Sequence, residues 1–293
     1  MKTYFHKLLI TGGHGQMAKA IKAHPLALPF DLTLPSHQAM DITNDSSLQQ
    51  AIDHVKPDCI INTAAYTAVD KAESERELAL AVNQIGAQKL ALACHKNNIP
   101  LIQLSTDYVF SGEKKTPYEE DDVIHPINVY GESKYLGEEA IRTHCADHLI
   151  LRVSGVFSEF GQNFLKTILR LARERDELNI VSDQITSPTY AGDIAGVLFT
   201  MLQQNKFIPG TYHYCSQDAI SWYEFAGMIV NTAKKRTSIK TKNIHPINAN
   251  EYKTAAKRPP YSVLDCRKIK TIFDITQPAV LDGIVASLRE CGN

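Results

Sequence analysis

Tyr130 and Lys134 stand four residues apart in the stretch Asn128-Val129-Tyr130-Gly131-Glu132-Ser133-Lys134. The stretch reads as the start of a helix, and four residues is little more than one helical turn, so phenol and ammonium project from one face. A tyrosine hydroxyl ionises near pH ~10. A fixed cation beside it favours the phenolate and lowers that value. Tyr130 is therefore a candidate general acid or base, and Lys134 its tuner. The same spacing also occurs on solvated helix faces that do no chemistry, so the surrounding elements decide its meaning.

The first such element is at the N-terminal end. The apolar run His6 to Thr11 has the length of a buried strand, and Gly12-Gly13-His14-Gly15-Gln16-Met17-Ala18 leads straight from it into helical sequence. Strand, glycine turn and helix start make a phosphate cradle. Gly12 permits the tight turn, Gly15 lets the main chain approach a pyrophosphate at the helix N-terminus, and Ala18 allows close helix–strand packing. The spacing is G-x-x-G-x-x-A. A second strand, Asp31 to Leu34, ends at Pro35-Ser36-His37 with neither an acid for ribose hydroxyls nor an arginine for a 2′-phosphate. Asp41-Ile42 fits an adenine-side contact, or Asp41 caps the helix expected over 46–55.

Further strands follow at Cys59–Ala65 and Leu101–Leu104, the latter opening into Ser105-Thr106-Asp107-Tyr108-Val109-Phe110. Small residues after Asn62 leave room for a flat cofactor. Hydroxyls at a strand's carboxyl end lie where open α/β sheets bind ligands, although turn chemistry also explains Ser105 and Thr106. A helix is expected over 73–97, interrupted at Gly86. The acidic stretch 111–126 reads as a solvated excursion, and helix 128–144 carries Tyr130 and Lys134. A fifth strand over 149–153, a helix after Gly161 and a strand over 178–181 precede less regular sequence. The alternation predicts a parallel, doubly wound α/β sheet with a smaller mixed domain over its crevice.

Net charge is −1 over 293 residues and 44% are hydrophobic. That is ample material for a core and no electrostatic footprint for nucleic acid or an anionic membrane. No apolar run approaches a membrane span, and a signal-peptide pattern is absent. Cys59, Cys94, Cys145, Cys215, Cys266 and Cys291 lack metal-ligand spacing, which points to a reduced, cytoplasmic, metal-free protein.

Glycine turn, STDYVF and YGESK occur in the order of the extended short-chain dehydrogenase/reductases, which the chain resembles. More narrowly, AAYTAVDKAE (64–73), STDYVFSG (105–112), NVYGESKYLGE (128–138), the Asn-Phe at 163–164, DQITSPT (183–189) and RPPYSVLDCRKI (258–269) resemble the dTDP-4-dehydrorhamnose reductase family. The resemblance implies a Rossmann-like dinucleotide-binding domain over 1–155, with later crossings around 190–205, and a mostly substrate-binding domain over 156–293. It implies reduction of the 4-keto group of a nucleotide deoxysugar with NADPH or NADH.

Carried onto this sequence, the catalytic triad is Thr106, Tyr130 and Lys134. Cofactor contacts fall on Gly12, Gly15, Gln16, Met17, Asp41, Ile42, Ala65, Tyr66, Thr67 and Leu104, together with Tyr130 and Lys134. Substrate contacts fall on Thr106, Asp107, Asn163 and Arg258. The resemblance assigns Lys134 to the nicotinamide ribose and to lowering the Tyr130 pKa. Gly155 stands where the family often has tryptophan, which opens the sugar side. The glutamates that bridge some family dimers through magnesium match Ala20, Gly192 and Glu290, so a monomer or weak homodimer is expected. A dehydratase would need a second carboxylate after Asp107, where Tyr108 stands. The remaining alternatives are a reductase or epimerase for another nucleotide deoxysugar, and a non-catalytic NADP-binding subunit resembling that of methionine adenosyltransferase.

Overall fold

The computed structural model describes residues 5–204 and 207–290; Cys291 and the side chain of Glu290 lie outside that range. Short β-branched and leucine-rich runs become strands, and the amphipathic segments between them become helices. In chain order these are β1 (Lys7–Thr11), α1 (Gln16–Ala23), β2 (Asp31–Thr33), α2 (Asp45–Val55), β3 (Cys59–Asn62), α3 (Val69–Ala72), α4 (Arg76–Leu80), α5 (Ala87–Asn97), β4 (Leu101–Thr106), α6 (Val129–His144) and β5 (His148–Val153). Then come α7 (Phe164–Glu174), β6 (Glu177–Val181), β7 (Ile185–Thr186), α8 (Ala191–Leu202), β8 (Gly210–Tyr214), β9 (Ile220–Ser221), α9 (Trp222–Lys234), β10 (Asn243–Ile247), α10 (Arg267–Phe273) and α11 (Val280–Glu290).

Six strands form one parallel sheet in the order β2-β1-β3-β4-β5-β8. The chain steps outward from β1 to β2 and then returns past β1 to β3. The strand order therefore reverses between β1 and β3, and the crevice at that reversal is where such sheets take ligands. Both faces are covered. Leu8, Ile10, Cys59, Ile61, Ile102 and Leu151 point to a core shared with α1, α8 and α10. Leu9, Ile60, Leu101 and Ile150 point the other way, to a core shared with α2, α5 and α6. That two-residue alternation is the pleat of a doubly covered sheet. A third apolar cluster, built from α7, α9, α11 and Leu178 of β6, lies over the later chain. The return to the main sheet runs further than the 190–205 expected, because β8 adds the edge strand beyond β5.

Three local expectations are revised. The helix expected over 73–97 starts later and is divided into α4, a π-helical segment Ala81–Gly86, and α5, with the single turn α3 standing before it. The π segment buries Asn83, whose side chain accepts from Tyr66 N at 2.8 Å and donates to Ser133 Oγ at 2.9 Å. The 111–126 stretch is tied down rather than loose. Tyr118 is buried, stacks on Phe110 with centroids 4.2 Å apart, and pairs its main chain with Val263 and Asp265. Asn44, not Asp41, caps α2: its Oδ1 accepts from Ser47 N at 3.1 Å.

Helix α6 crosses the π segment at its closest point over Gly137. A Cβ there would sit 2.1 Å from Asn83 O, a main-chain atom that cannot swing aside. Gly137→Ala is expected to lose about 1–3 kcal/mol, as overpacking does, read as a lower urea midpoint at unchanged slope; an unaltered midpoint contradicts the tight crossing.

Candidate active site

Gly12 takes φ +66°, the left-handed conformation glycine adopts without penalty, and turns the chain out of β1. Gly13, absent from the sequence-derived set, is held tightest: a Cβ would lie 2.5 Å from Leu34 O, and its N–H bonds Pro35 O at 3.1 Å. Gly15 precedes α1 as its N-cap and supplies no side-chain cap. The first turn of α1 therefore presents main-chain N–H groups beside a glycine turn, the arrangement that favours an anion. Met17 buries its side chain in the core, which leaves its main chain to face the turn.

Gln16 reaches the opposite way. Its Oε1 accepts from Ser158 Oγ at 3.3 Å and from Asn163 Nδ2 at 3.2 Å, and Nε2 lies 3.5 Å from Val156 O. Asn163 is also the N-cap of α7, accepting from Lys166 N at 3.1 Å. One predicted cofactor residue thus touches one predicted substrate residue. Ala65, Tyr66 and Thr67 follow β3 across the crevice, with Tyr66 held by Asn83 and by a 2.6 Å bond from its hydroxyl to Glu75. Asp41 and Ile42 lie apart from this group, after β2. Asp41 accepts from Thr43 N and Oγ1 at 2.8 Å, which helps hold its carboxyl below the usual range, and Ile42 is buried against Gly86.

The triad gathers where β4 ends. Thr106 Oγ1 donates to Asp107 Oδ1 at 3.1 Å and accepts from Tyr108 N at 3.1 Å. Thr106 also bears on the Tyr130 phenol and eases its ionisation. Tyr130 retains some accessible surface yet is densely surrounded, with the Tyr108 ring edge-on at 5.9 Å. Burial pushes its pKa up to about 12, partly offset by Thr106. The expected lowering by Lys134 is therefore not what this structure holds. The Lys134 ammonium is turned to Leu104 O at 2.7 Å, and burial lowers its own pKa to about 8.

Asp107 is 2% exposed and faces inward, accepting from Ser154 Oγ at 2.8 Å. Burial raises it to about 6. It supports Thr106 from beneath. Arg258 is gripped by Asp70 through two bonds, 2.7 and 3.1 Å, which keeps its pKa raised and ties the late 258–269 segment to α3. Gly155 has φ +53° and stands against Pro188 Cα, so an L side chain there would be strained as well as crowded.

Beneath the triad lies a buried charge network. Glu138, one turn beyond Lys134, accepts from Ser105 Oγ at 2.5 Å and from Arg152 Nη2 at 2.7 Å, with Arg142 Nη2 at 2.8 Å. Glu138 and Arg152 are both 1% exposed. Arg152 Nη1 meets His213 Nε2 at 3.2 Å, while Nδ1 faces Tyr118 O at 3.0 Å; these partners make Nδ1 the donor and Nε2 the acceptor. Burial and the neighbouring guanidinium push His213 down to about 3, so it is neutral. Glu138, Asp70 and Asn83 were missed at the sequence level as site residues. The signal for Glu138 was its four-residue step from Lys134 on the same helix face.

Comparison with known proteins places this geometry. The sequence profile described as the RmlD substrate binding domain matches residues 6–292. A dTDP-4-dehydrorhamnose reductase of Aggregatibacter actinomycetemcomitans is 42% identical, covering 97% of this chain and 98% of that protein. The spore coat polysaccharide biosynthesis protein SpsK of Bacillus subtilis is 37% identical over 90% of each. The crystal structure of a Bacillus anthracis dTDP-4-dehydrorhamnose reductase in complex with NADP superposes with a TM-score of 0.92 at 36% identity, covering 99% of this chain and 100% of that one. A Thermus thermophilus UDP-glucose 4-epimerase shares the fold alone, at 17% identity and a TM-score of 0.83. The chain belongs to the dTDP-4-dehydrorhamnose reductase family.

Proposed function

We propose that this chain reduces the 4-keto group of a dTDP-4-dehydro-6-deoxysugar, converting dTDP-4-dehydro-L-rhamnose to dTDP-L-rhamnose, with NADPH or NADH as the reductant. The observation that carries the reading is the meeting of Thr106, Tyr130 and Lys134 at the carboxyl end of β4, beside the strand-order reversal. The glycine cradle and the uncapped first turn of α1 suit a dinucleotide pyrophosphate. Gly12, Gly15, Gln16 and Met17 would hold it. Asp41 and Ile42 take the adenosine side, and Ala65, Tyr66, Thr67 and Leu104 the nicotinamide side. We assign residues 1–155, with the returning α8 and β8, to cofactor binding, and most of 156–293 to the sugar nucleotide. Asn163 and Arg258 are assigned to that substrate, Arg258 because a planar guanidinium suits a diphosphate. A reducing cytoplasm suits the five buried, unbridged cysteines among the described residues.

Once bound, the reduced nicotinamide supplies hydride to the keto carbon. The protein handles the oxygen. Thr106 hydrogen-bonds the carbonyl oxygen and orients it toward Tyr130. With its pKa pushed up to about 12, Tyr130 is a neutral phenol at working pH and therefore a proton donor. Lys134, still mostly protonated below about pH 8, is assigned to the nicotinamide ribose.

Tyr130→Phe removes one hydroxyl and keeps the ring. Turnover is expected to fall ~10²–10⁴-fold, the usual worth of a positioned acid, with the cofactor dissociation constant little changed. Lys134→Met should weaken cofactor binding as well, and the double variant should be far from additive. Near-normal turnover of Tyr130→Phe with a 4-keto sugar nucleotide sinks the assignment; tight NADPH binding by a wild type without turnover favours the binding-subunit alternative.

The pH profile has a definite sign. Lys134 loses its charge as pH rises through about 8, so kcat/KM for reduction should be level at neutral pH and decline above it. That limb should vanish from the residual activity of Lys134→Met; a limb that persists there at the same pH assigns it to another group.

At the β2 tip, Ser36 is spent on Ala39 N and no carboxylate stands ready to repel a 2′-phosphate. NADPH should be accepted at least as well as NADH. A tenfold kinetic preference for NADH, about 1.4 kcal/mol, would mean that another part of the chain sets the choice.

A further inference from the structure

Three consecutive residues of β4 engage three positions on one face of α6. Leu104 O holds Lys134, Ser105 Oγ holds Glu138, and Thr106 eases the ionisation of Tyr130. Two of these contacts belong to the triad as assigned above. The middle one does not, yet its carboxylate is heavily bonded. Arg152 donates to it through Nε and Nη2, Arg142 through Nη2, and Ser105 through Oγ.

We propose that Glu138, anchored by Arg152, is the positioning residue of this site: it sets the register of α6 on β4 and is the counter-charge of Lys134. The inference rests on the assignment of Lys134 to the reaction. A helix that slid or rotated over β4 would separate Tyr130 from Thr106, and the Ser105–Glu138 bond resists that motion from within the core. The charge argument is as direct. Lys134 and Glu138 lie one helical turn apart on one face of α6 and are both buried, so the carboxylate's charge favours the ammonium. The other groups facing this region are a neutral Asn83 from the π segment and, on α4, Arg76, which is turned outward to Glu132 at 2.7 Å. Asp107 acts on Tyr130 rather than on Lys134. From β5 and β8 come Arg152 and neutral His213. Without Glu138, Lys134 and Arg152 would lose their shared anion, and Arg142 would keep only Glu139, half-exposed on the outer side of the helix.

The test is to titrate Lys134 itself. In protein labelled with ¹³C-lysine, the Lys134 Cε–Hε signal is identified by its loss in Lys134→Met and followed with pH in wild type and Glu138→Gln. Glu138→Gln keeps shape and removes charge, and should move the Lys134 midpoint down by about one pH unit or more, the effect of losing a close opposite charge. The alkaline limb of kcat/KM should move with it. Ser105→Ala, which removes only the strand contact, should lower kcat and leave the Lys134 midpoint in place. A midpoint in Glu138→Gln equal to wild type overturns the proposal, as does full kcat in Ser105→Ala. Should circular dichroism show Glu138→Gln unfolded, Glu138→Gln with Arg152→Met removes both members of the buried pair and is judged by the same downward shift. The titration is read without turnover, so it stands or falls separately from the Tyr130→Phe result.

Discussion

An ammonium buried in a protein core must be given partners, and the need to supply them to Lys134 shapes the centre of this molecule. The residue is 5% exposed, and its ammonium donates to a main-chain carbonyl. That carbonyl is available because Leu104 is near the end of β4, where the sheet ladder gives way to the crevice. Burial weakens the charge's hold on its proton, so the surroundings must return some of what water would have provided. Strand end, helix face and the carboxylate one turn further along α6 do this together. The consequence is a helix that cannot choose its own height over the sheet.

The close crossing of α6 on the π segment follows from the same requirement. With α6 pulled onto β4, its neighbours must come near: main chain meets main chain at Gly137, against Asn83 of the π segment, and at Gly131, against Tyr108 in the turn after β4, where a Cβ would lie 2.1 Å from a carbonyl oxygen. The π segment inserts an extra residue into its turn and thereby aims Asn83 inward, where it ties Tyr66 on the cofactor side to Ser133 beside Lys134. A regular α-helix would have carried that side chain past both.

The sheet and its switch point were legible in the sequence, because buried parallel strands are apolar runs of characteristic length and the helices between them are periodic. The glycine turn was legible too, although Gly13 was passed over: only the three-dimensional approach of Leu34 and Pro35 shows that it, more than Gly15, has no space for a side chain. Motif resemblance pointed to Thr106, Tyr130 and Lys134. What it could not carry was their electrostatics. An i, i+4 lysine suggested a lowered phenol pKa, and the fold instead surrounds the phenol and sends the ammonium elsewhere. The acid-rich 111–126 stretch misled for a similar reason. Its charges read as solvated, but Glu120 accepts from His213 N at 2.9 Å and Tyr118 is a core residue. Pairings between residues some ninety positions apart leave no local pattern. Asp70 and Arg258, 188 positions apart, are the same case.

Gln16 has one further consequence. Its side chain leaves the glycine turn and ends on Ser158 and on Asn163, the residue that starts α7. A dinucleotide seated on that turn and a sugar nucleotide seated against Asn163 would share this amide as a common neighbour. Any free energy by which the first adjusts the second must then appear, equal in size, when the order of addition is reversed. On that assignment, in thermodynamic terms neither ligand could be the sole controller of the other.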